Sequence, residues 1–195
     1  MQKPVLRLIS THRLDPEKGR DLILGWLRML WDSGLLCSDR NDDSQKTSGW
    51  KLHYDIYGDG LLRPEMEKLA RLYPDQIIYH GYVPLSKVFE HSTQYDFVMM
   101  PSHFIETFGL SALDFAQFGI PTIGFQKGGL RQFVSDELDI YQSPGETLQD
   151  KMNNLMDRII YDTAHHDLSK YAIDKNTIKA KYGFPKWLDA FKSLL

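Results

Sequence analysis

The chain has 195 residues, of which 42% are hydrophobic and 25% charged, a balance that accommodates one globular domain with a substantial core. Its net charge of -3 comes from 26 acidic and 23 basic residues mixed along the chain, so bulk electrostatics gives no argument for nucleic-acid binding and any anion site must be local. Cys37 is the only cysteine, which excludes an intrachain disulfide framework, leaves too few thiols for a structural zinc site and favours a reducing, cytoplasmic compartment.

The first predicted unit is a strand followed by a loop and a helix. Residues 5–9 form a short apolar run with β-branched ends, which is typical of a strand, and residues 19–33 show a helical period. We expect Trp26 and Trp31 on the apolar face of this helix to be buried or half-buried. The whole face comprises Leu22, Ile23, Trp26, Leu27, Leu30 and Trp31.

The next segment, residues 38–49, contains no aliphatic or aromatic side chain. It cannot contribute to a core, and its composition predicts an exposed, mobile loop between two elements. We do not interpret it as a domain linker.

The rest of the chain first repeats the strand and helix alternation and then becomes helical. Strands are predicted over residues 52–56, 77–80, 97–100 and 122–125, and helices over residues 66–73, 85–92 and 109–118. Beyond residue 140 the pattern indicates helices near 147–161 and 168–179 and an amphipathic stretch at 187–191.

Short strands separated by helices require crossover connections, which produce a parallel sheet with helices on both faces. The predicted fold class is therefore α/β, a doubly wound Rossmann-like sheet with a C-terminal helical tail. In such sheets ligands bind outside the carboxyl ends of the strands, the edge that we call the rim. The loops expected to share this rim begin after Ser10, Tyr57, His80, Met100 and Phe125.

The loop after the fourth predicted strand has the features of an anion site. It leads from Pro101 into a helix whose start offers unpaired N–H groups and the positive end of a dipole, and Gly109 has no side chain to keep a phosphate away. Asp114 shares a helix face with Leu110, so its carboxylate can accept hydrogen bonds from a diol beside that phosphate. Glu106 precedes the helix and would face a bound sugar. Taken alone, either carboxylate is more often a solvated or capping group.

The loop after the first predicted strand carries two cations, Arg13 and Lys18. Across the rim they would neutralise a diphosphate, as a metal ion does elsewhere. We predict no metal site, because His12, His80 and His103 are scattered and no acidic pair has the spacing of metal ligands.

Six short motifs in one unbroken order, over roughly residues 5–135, resemble the C-terminal domain of the retaining glycosyltransferases of GT-B fold. This large family includes sucrose synthase, bacterial glycogen synthase and many mannosyl- and glucosyltransferases. The motifs are Arg13-Leu14 with Lys18-Gly19, Gly58-Asp59-Gly60, His80-Gly81-Tyr82-Val83, Pro101-Ser102 with Glu106 and Phe108-Gly109-Leu110, Gly119-Ile120-Pro121, and Gly128-Gly129-Leu130.

The resemblance implies roles for the matching residues. Arg13 and Lys18 would hold the diphosphate of a nucleotide-sugar donor, and Glu106 would bind hydroxyls of the donor sugar. Asp114 would bind the ribose diol. The family pattern has a glutamate at this position, and the shorter side chain of aspartate shifts the carboxylate by about 1 Å. The other implied contacts are the backbone of Phe108, Gly109 and Leu110 for the distal phosphate and sugar, and Tyr82 and Val83 for the base pocket.

Two glycine motifs stay open between a structural and a binding interpretation. Gly58 lies in a motif that favours a strand-ending turn, with proximity to phosphate or base as the second interpretation. Gly128 and Gly129 form either a turn or a contact close to the donor sugar.

The resemblance further implies a reaction and its partners. A hexosyl group would pass from a nucleotide diphosphate sugar, with UDP-glucose as the first choice, to an acceptor hydroxyl with retention, without a metal or another cofactor. We expect residues 1–145 to be the donor-binding domain and residues 146–195 to pack on it or on an N-terminal acceptor domain upstream. A glycan or lipid-linked acceptor would bind through that second domain, so we expect no turnover by this chain alone.

Three alternatives remain. The chain could be a nucleotide-binding module without its own catalysis, or a nucleotide-sugar epimerase of similar architecture, which would be expected to have a different set of acids and histidines. A phosphorylase of GT-B fold would need a pyridoxal-phosphate lysine, and nothing near Lys127 supports one.

No stretch reaches the roughly 18 apolar residues of a membrane-spanning helix, and the first ten residues lack the organisation of a signal peptide. We therefore expect no transmembrane segment. Peripheral contact with the inner face of a membrane would come from another part of the full protein.

Overall fold

The computed structural model describes residues 3–36 and 49–183. Cys37, residues 38–48 of the loop predicted over residues 38–49, and the amphipathic stretch at residues 187–191 lie outside the described residues.

In the described part of the chain, five parallel strands form one sheet in the order β3-β2-β1-β4-β5. The chain steps outward from β1 to β3 before it crosses to β4, which is buried along its whole length. This arrangement confirms the predicted doubly wound α/β fold and brings all five carboxyl ends to one rim. The strands are β1 Val5–Ser10, β2 Lys51–Tyr57, β3 Ile77–Gly81, β4 Phe97–Met100 and β5 Thr122–Gly124.

Six α-helices within residues 3–36 and 49–183 connect and follow the strands. They are α1 Arg20–Asp32, α2 Arg63–Leu72, α3 Leu85–Phe89, α4 Leu110–Ala116, α5 Leu148–Ala164 and α6 Lys175–Tyr182. Each overlaps a helix predicted from periodicity, and the ends of α1 to α5 lie within three residues of the predicted ones. The segment predicted as helix over residues 85–92 ends at Phe89 and is followed by a separate 3-10 turn, Ser92–Gln94.

The predicted helix over residues 168–179 is wrong in its continuity. A 3-10 turn, Leu168–Tyr171, precedes α6, and the two are separated by extended backbone. Asp174 explains the break, because its carboxylate accepts the backbone N–H of Asn176 and so caps the start of a new helix.

Trp26 and Trp31 differ in burial although both belong to the predicted apolar face of α1. Trp26 is fully buried, whereas Trp31 is 44% exposed and packs edge-on against Tyr73. The helix turns by about 100° per residue, so position 31 lies at the border of the face centred on Trp26 and Leu30. The prediction of burial is therefore confirmed for Trp26, whereas Trp31 is an exposed side chain and the prediction does not hold for it.

Helix α5 packs on the same domain as the sheet. Its apolar face is fully buried in the main core with α1, and the side chain of Gln149 donates to the carbonyl of Leu22. The buried residues of that face are Met152, Leu155, Met156 and Ile159. The division of the chain at residue 145 stays a prediction. Among the described residues, no helix is both long and apolar enough to cross a bilayer.

Candidate functional site

The loops at the rim are held together by a chain of close backbone contacts. The first rim loop, residues 11–19, bonds to the second through Leu14 N–H and Asp59 O at 3.0 Å. The second bonds to the third through Gly58 N–H and Gly81 O at 2.8 Å. The fourth rim loop, residues 101–109, accepts Gly129 N–H of the fifth at Glu106 O, at 2.7 Å. The fourth loop bonds to the first through His103 N–H and Glu17 O at 2.9 Å, so the rim is one connected surface.

Glycines permit the closest of these approaches. Gly19 has φ +72°, and a Cβ there would lie 1.8 Å from the carbonyl oxygen of Pro101. Gly128 has φ +54°, and a Cβ there would lie 2.4 Å from Glu106 O. Both positions therefore require glycine, which fixes the fourth rim loop between the first and the fifth.

Lys18 and Glu106 meet between the first and fourth rim loops. Their Nζ and Oε1 atoms are 2.7 Å apart, and the side chains are 20% and 19% exposed. The pair is a charge-assisted hydrogen bond with limited solvent access, so water and salt screen it less than a surface pair. The structure thus brings together the cation and the acid that the sequence predicts for the site.

Arg13 is engaged elsewhere. Its guanidinium contacts Asp15 and Glu17, each at 3.0 Å, and the side chain is 64% exposed. These groups, with Asp59 and Leu61, line an open cavity of about 620 Å³ on the β2 side of the rim. Arg13 is therefore paired with two carboxylates of its own loop. It takes no part in the contact between Lys18 and Glu106.

The start of α4 follows the fourth rim loop, as predicted. Gly109 is its left-handed cap with φ +80°, and no side chain caps the helix N-terminus among the described residues. Phe108 and Leu110 on either side are exposed, and the Phe108 ring packs against Phe133 and Tyr182. Gly109 itself is buried, and a Cβ there would lie 2.9 Å from the side chain of Leu130 in the fifth rim loop.

Asp114 lies one turn into α4 and is half-buried. Burial raises the pKa of its carboxyl above the usual value. It takes part in no ion pair within the described ranges, so its carboxylate oxygens are available to a hydroxyl ligand.

The predicted base-pocket residues and Gly58 occupy different surroundings. Tyr82 is 82% exposed, whereas Val83 packs against the smaller core cluster beneath α3. Gly58 has φ +121°, and a Cβ there would lie 2.4 Å from His12 O. The structure gives Gly58 a role in the close approach of the first and second rim loops. Contacts of any of the three with a ligand stay a prediction.

Lys127 is a rim cation that the sequence analysis considered only as a cofactor lysine and set aside. Its Nζ donates to His103 O at 2.6 Å and lies 4.9 Å from the centre of the Phe125 ring. Burial lowers the pKa of Lys127, and the nearby Glu106 carboxylate partly offsets that effect. Its position directly before Gly128 in a rim loop was the available signal.

Arg20 is a second cation that sequence reasoning missed, because the first position of a helix is usually exposed. It is fully buried and bonds to Ser10, Tyr54 and the carbonyls of His12 and Tyr57. Burial, together with the charges of Arg20 and Lys18, keeps the pKa of His12 well below its usual value. His12 is therefore a neutral imidazole in contact with the carbonyl of Lys18.

The histidines of the sequence analysis have separate partners. His80 contacts Asp55 at 2.6 Å and stacks on Tyr57, while His103 contacts Asp21 at 2.9 Å. No group of three or more His, Cys, Asp or Glu side chains suited to a metal ion occurs in residues 3–36 and 49–183. Metal independence itself stays a prediction.

Comparison with known proteins places this geometry in context. The family model described as glycosyl transferases group 1 matches residues 3–175. An uncharacterized 41.2 kDa protein in the cps region of Klebsiella pneumoniae is 25% identical over 138 residues, which are 71% of this chain and 32% of that protein.

Several solved structures share the fold. A point mutant of TarM from S. aureus, in complex with fondaparinux, alpha-GlcNAc-glycerol and UDP, gives a TM-score of 0.61 at 18% identity, covering 99% of this chain and 36% of that one. Alr3699/HepE from Anabaena, in complex with UDP and glucose, gives 0.52 at 17% identity and covers 99% and 49%. The catalytic domain of cholesterol-alpha-glucosyltransferase from Helicobacter pylori gives 0.56 at 11% identity and covers 90% and 99%.

The chain is shorter than most of the proteins that it matches here. The chain spans about a third of the curated relative and of the TarM structure. With sequence identities of 11–18%, the solved structures show that this chain shares their fold.

Proposed function

The chain belongs to the glycosyl transferases group 1 family, and from this membership we propose that it is the donor-binding half of a glycosyltransferase. The donor is a nucleotide diphosphate sugar, and a hexosyl group passes to an acceptor hydroxyl with retention and without a metal. The observation that carries the proposal is the contact of Lys18 with Glu106 beside the start of α4. The acceptor, a glycan or a lipid-linked hydroxyl, binds through a second domain.

Each side of the ion pair suits one part of the donor. Lys18 Nζ has three donor positions, so it can keep a bond to Glu106 while it binds a diphosphate oxygen. The Glu106 carboxylate can accept hydrogen bonds from two hydroxyls of the sugar. The donor sugar would thus be held at the junction of the first and fourth rim loops.

The proposed reaction breaks the bond between the anomeric carbon and the diphosphate oxygen. The bonding electrons pass to the diphosphate, and Lys18 stabilises the charge that develops there. The acceptor hydroxyl attacks the anomeric carbon from the same face, and its proton passes to the departing diphosphate oxygen. Glu106 orients the sugar and takes no part as a nucleophile, so no pair of catalytic carboxylates is required.

Cations of the rim support the proposed independence from metal. Lys18, Lys127 and Arg20 all lie at or directly beneath the loops after β1 and β5. Fixed positive charges aimed at a leaving diphosphate perform the electrostatic task that a divalent ion performs in other enzymes. Arg13 would join them after leaving its two carboxylates.

The choice of UDP-glucose draws on the relatives of similar fold. The TarM and HepE structures contain UDP, and the HepE structure also contains glucose. We propose uridine as the base and glucose as the sugar on that support. We also propose a cytoplasmic setting, to which a single cysteine is suited, with any attachment to the membrane surface made outside this sequence.

Calorimetric titration of the chain with UDP, GDP and ADP tests the proposal. We expect one site that binds UDP most tightly and that binds UDP-glucose more tightly than UDP. Absence of binding by all three nucleotides at millimolar concentration would contradict a donor site.

A further inference from the structure

Arg20 has unusual surroundings for a charged side chain. It is the first residue of α1, it is 0% exposed, and its guanidinium lies beneath the carboxyl ends of β1 and β2. One terminal nitrogen donates to Ser10 Oγ at 2.5 Å and to Tyr54 Oη at 3.5 Å. The other donates to His12 O at 3.0 Å and to Tyr57 O at 3.4 Å. The Nε atom is buried and has no hydrogen-bond partner among the described residues.

Every acceptor around Arg20 is a neutral hydroxyl or carbonyl oxygen, and none of its partners in the described chain is a carboxylate. The neighbouring acids are engaged elsewhere. Asp15 pairs with Arg13 and accepts Leu61 N–H. Asp55 follows Tyr54 in β2 and therefore points to the opposite face of the sheet.

A guanidinium stays charged at neutral pH, and burying a charge without a counterion costs several kcal/mol. Neutral donors could bridge the same carbonyls without that cost. The charge of Arg20 therefore has no counterion among the described residues, and an anion bound close by would offset it.

The bond from Arg20 to His12 O places this charge directly under the first rim loop. The ring of His12 in turn contacts Lys18 O at 3.1 Å, so the guanidinium supports the backbone that carries Lys18. The two cations of the loop itself already have carboxylate partners, Lys18 with Glu106 and Arg13 with Asp15 and Glu17. Of these three cations, Arg20 is the one that lacks a carboxylate partner within the described ranges.

We propose that Arg20 is a positioning residue whose buried charge attracts the diphosphate of the donor to the first rim loop. This inference rests on the proposed function. Arg20 does not touch the ligand; it acts through the loop and through an electric field that the surrounding apolar core leaves poorly screened. The diphosphate supplies a negative charge that the described residues do not place against Arg20.

A pair of substitutions at Ser10 tests the charge while leaving Arg20 in place. Ser10 is fully buried and its hydroxyl touches the guanidinium, so Ser10→Asp puts a carboxylate against it, and Ser10→Asn has the same shape without the charge. We expect Ser10→Asp to bind UDP about tenfold more weakly than Ser10→Asn, a difference of about 1.4 kcal/mol. Uridine, which lacks the diphosphate, should bind both variants equally.

Substitution of Arg20 itself gives a second measurement. Arg20→Met should lose about tenfold in UDP affinity relative to Arg20→Lys, which keeps the charge, while uridine binds both alike. Calorimetry with UDP and uridine on all four variants and the unchanged chain completes the experiment. If one pair of variants does not fold, the other pair decides.

Equal UDP affinity within the folded pairs, in a chain that binds UDP, would overturn the role of Arg20 and leave the proposed function intact. An equal loss of UDP and uridine would also overturn it, since that result describes a structural residue. Failure of the unchanged chain to bind UDP would overturn the proposed function and the role of Arg20 with it.

Discussion

Lys18 and Glu106 form an ion pair of 2.7 Å although 88 residues separate them in the sequence. The contact joins the loop after β1 to the loop after β4, two strands that lie side by side in the sheet. Without a ligand each charge neutralises the other. A nucleotide sugar that binds here would contact Lys18 with its diphosphate and Glu106 with its sugar, so mutation can test the two halves of the donor separately.

Glu106→Gln should separate sugar binding from diphosphate binding. The substitution removes the carboxylate that holds Lys18, so we expect UDP to bind at least as tightly as in the unchanged chain. The additional affinity for UDP-glucose over UDP should fall, because a neutral amide replaces a charged acceptor of sugar hydroxyls. Calorimetry with both ligands measures the difference. Glu90→Gln, which breaks an exposed pair with Lys87, is the control and should leave the ratio unchanged.

Lys18→Met should weaken UDP binding more than Arg13→Met. Loss of a charged hydrogen bond to a phosphate at a site of limited exposure corresponds to about 1.5–3 kcal/mol for Lys18. Arg13 is exposed and must first leave Asp15 and Glu17, so its net contribution is smaller. Titrations at two salt concentrations provide the measurement, with Lys87→Met as the surface control. A larger loss for Arg13→Met would reverse the order assigned to the two cations.

The sheet and its rim could be predicted because each strand and helix carries its own periodicity. The apolar run at residues 97–100 coincides with β4, and the rim follows from parallel strands alone. The partners of polar side chains are set by packing between distant segments and have no such local signal. Arg20 looks like an ordinary cation in the first turn of a helix, and only the fold shows that it is enclosed by Ser10 and Tyr54.

Some contacts of the described structure could have been predicted from neighbouring residues in the sequence. Arg13 and Glu17 are four residues apart and Asp15 lies between them, a spacing that favours ion pairs within the loop. Asp174 stands before a helical run and is a preferred cap residue, which indicates the start of α6. The position of Lys127 directly before Gly128 was also a signal, but its contact with His103 O depends on how the fourth and fifth rim loops meet.

Asp114→Asn should stabilise the fold, and loss of the Asp114 carboxylate should weaken the binding of UDP. Burial raises the pKa of this carboxyl, so the folded state holds the proton more tightly than the unfolded state. The ionised group therefore costs stability above an unfolded pKa of about 3.9, and the cost disappears as the pH falls below that value. We expect a higher Tm than the unchanged chain at pH 7 and equal Tm values below about pH 4.

The contribution of Asp114 to UDP affinity is measured by calorimetry. Removing the acceptor of the ribose diol, as in Asp114→Ala, should weaken binding by about 1–3 kcal/mol. Asp157→Asn, on the exposed surface of α5, is the control and should leave UDP binding unchanged. Unchanged UDP binding by Asp114→Ala would remove Asp114 from the donor site.

Asp55→Asn should destabilise the fold in a pH-dependent way. The buried carboxylate accepts hydrogen bonds from His53 at 2.8 Å, His80 at 2.6 Å and Tyr95 at 2.7 Å. Burial by itself raises the pKa of Asp55, but these three donors outweigh it and hold the pKa below the usual value. Because the folded-state pKa lies below the unfolded one, the network stabilises the fold above about pH 4 and loses this contribution as the pH falls.

Urea unfolding at pH 7 should therefore show a loss of about 2–4 kcal/mol for Asp55→Asn, since an amide accepts fewer bonds and leaves buried donors unsatisfied. The difference from the unchanged chain should shrink as the pH falls below about 4, because the unfolded chain then binds a proton that the folded chain does not. Asp32→Asn, at the exposed end of α1, controls for the general effect of removing an acid. A constant difference across this pH range would show that Asp55 acts through packing and that its charge contributes nothing.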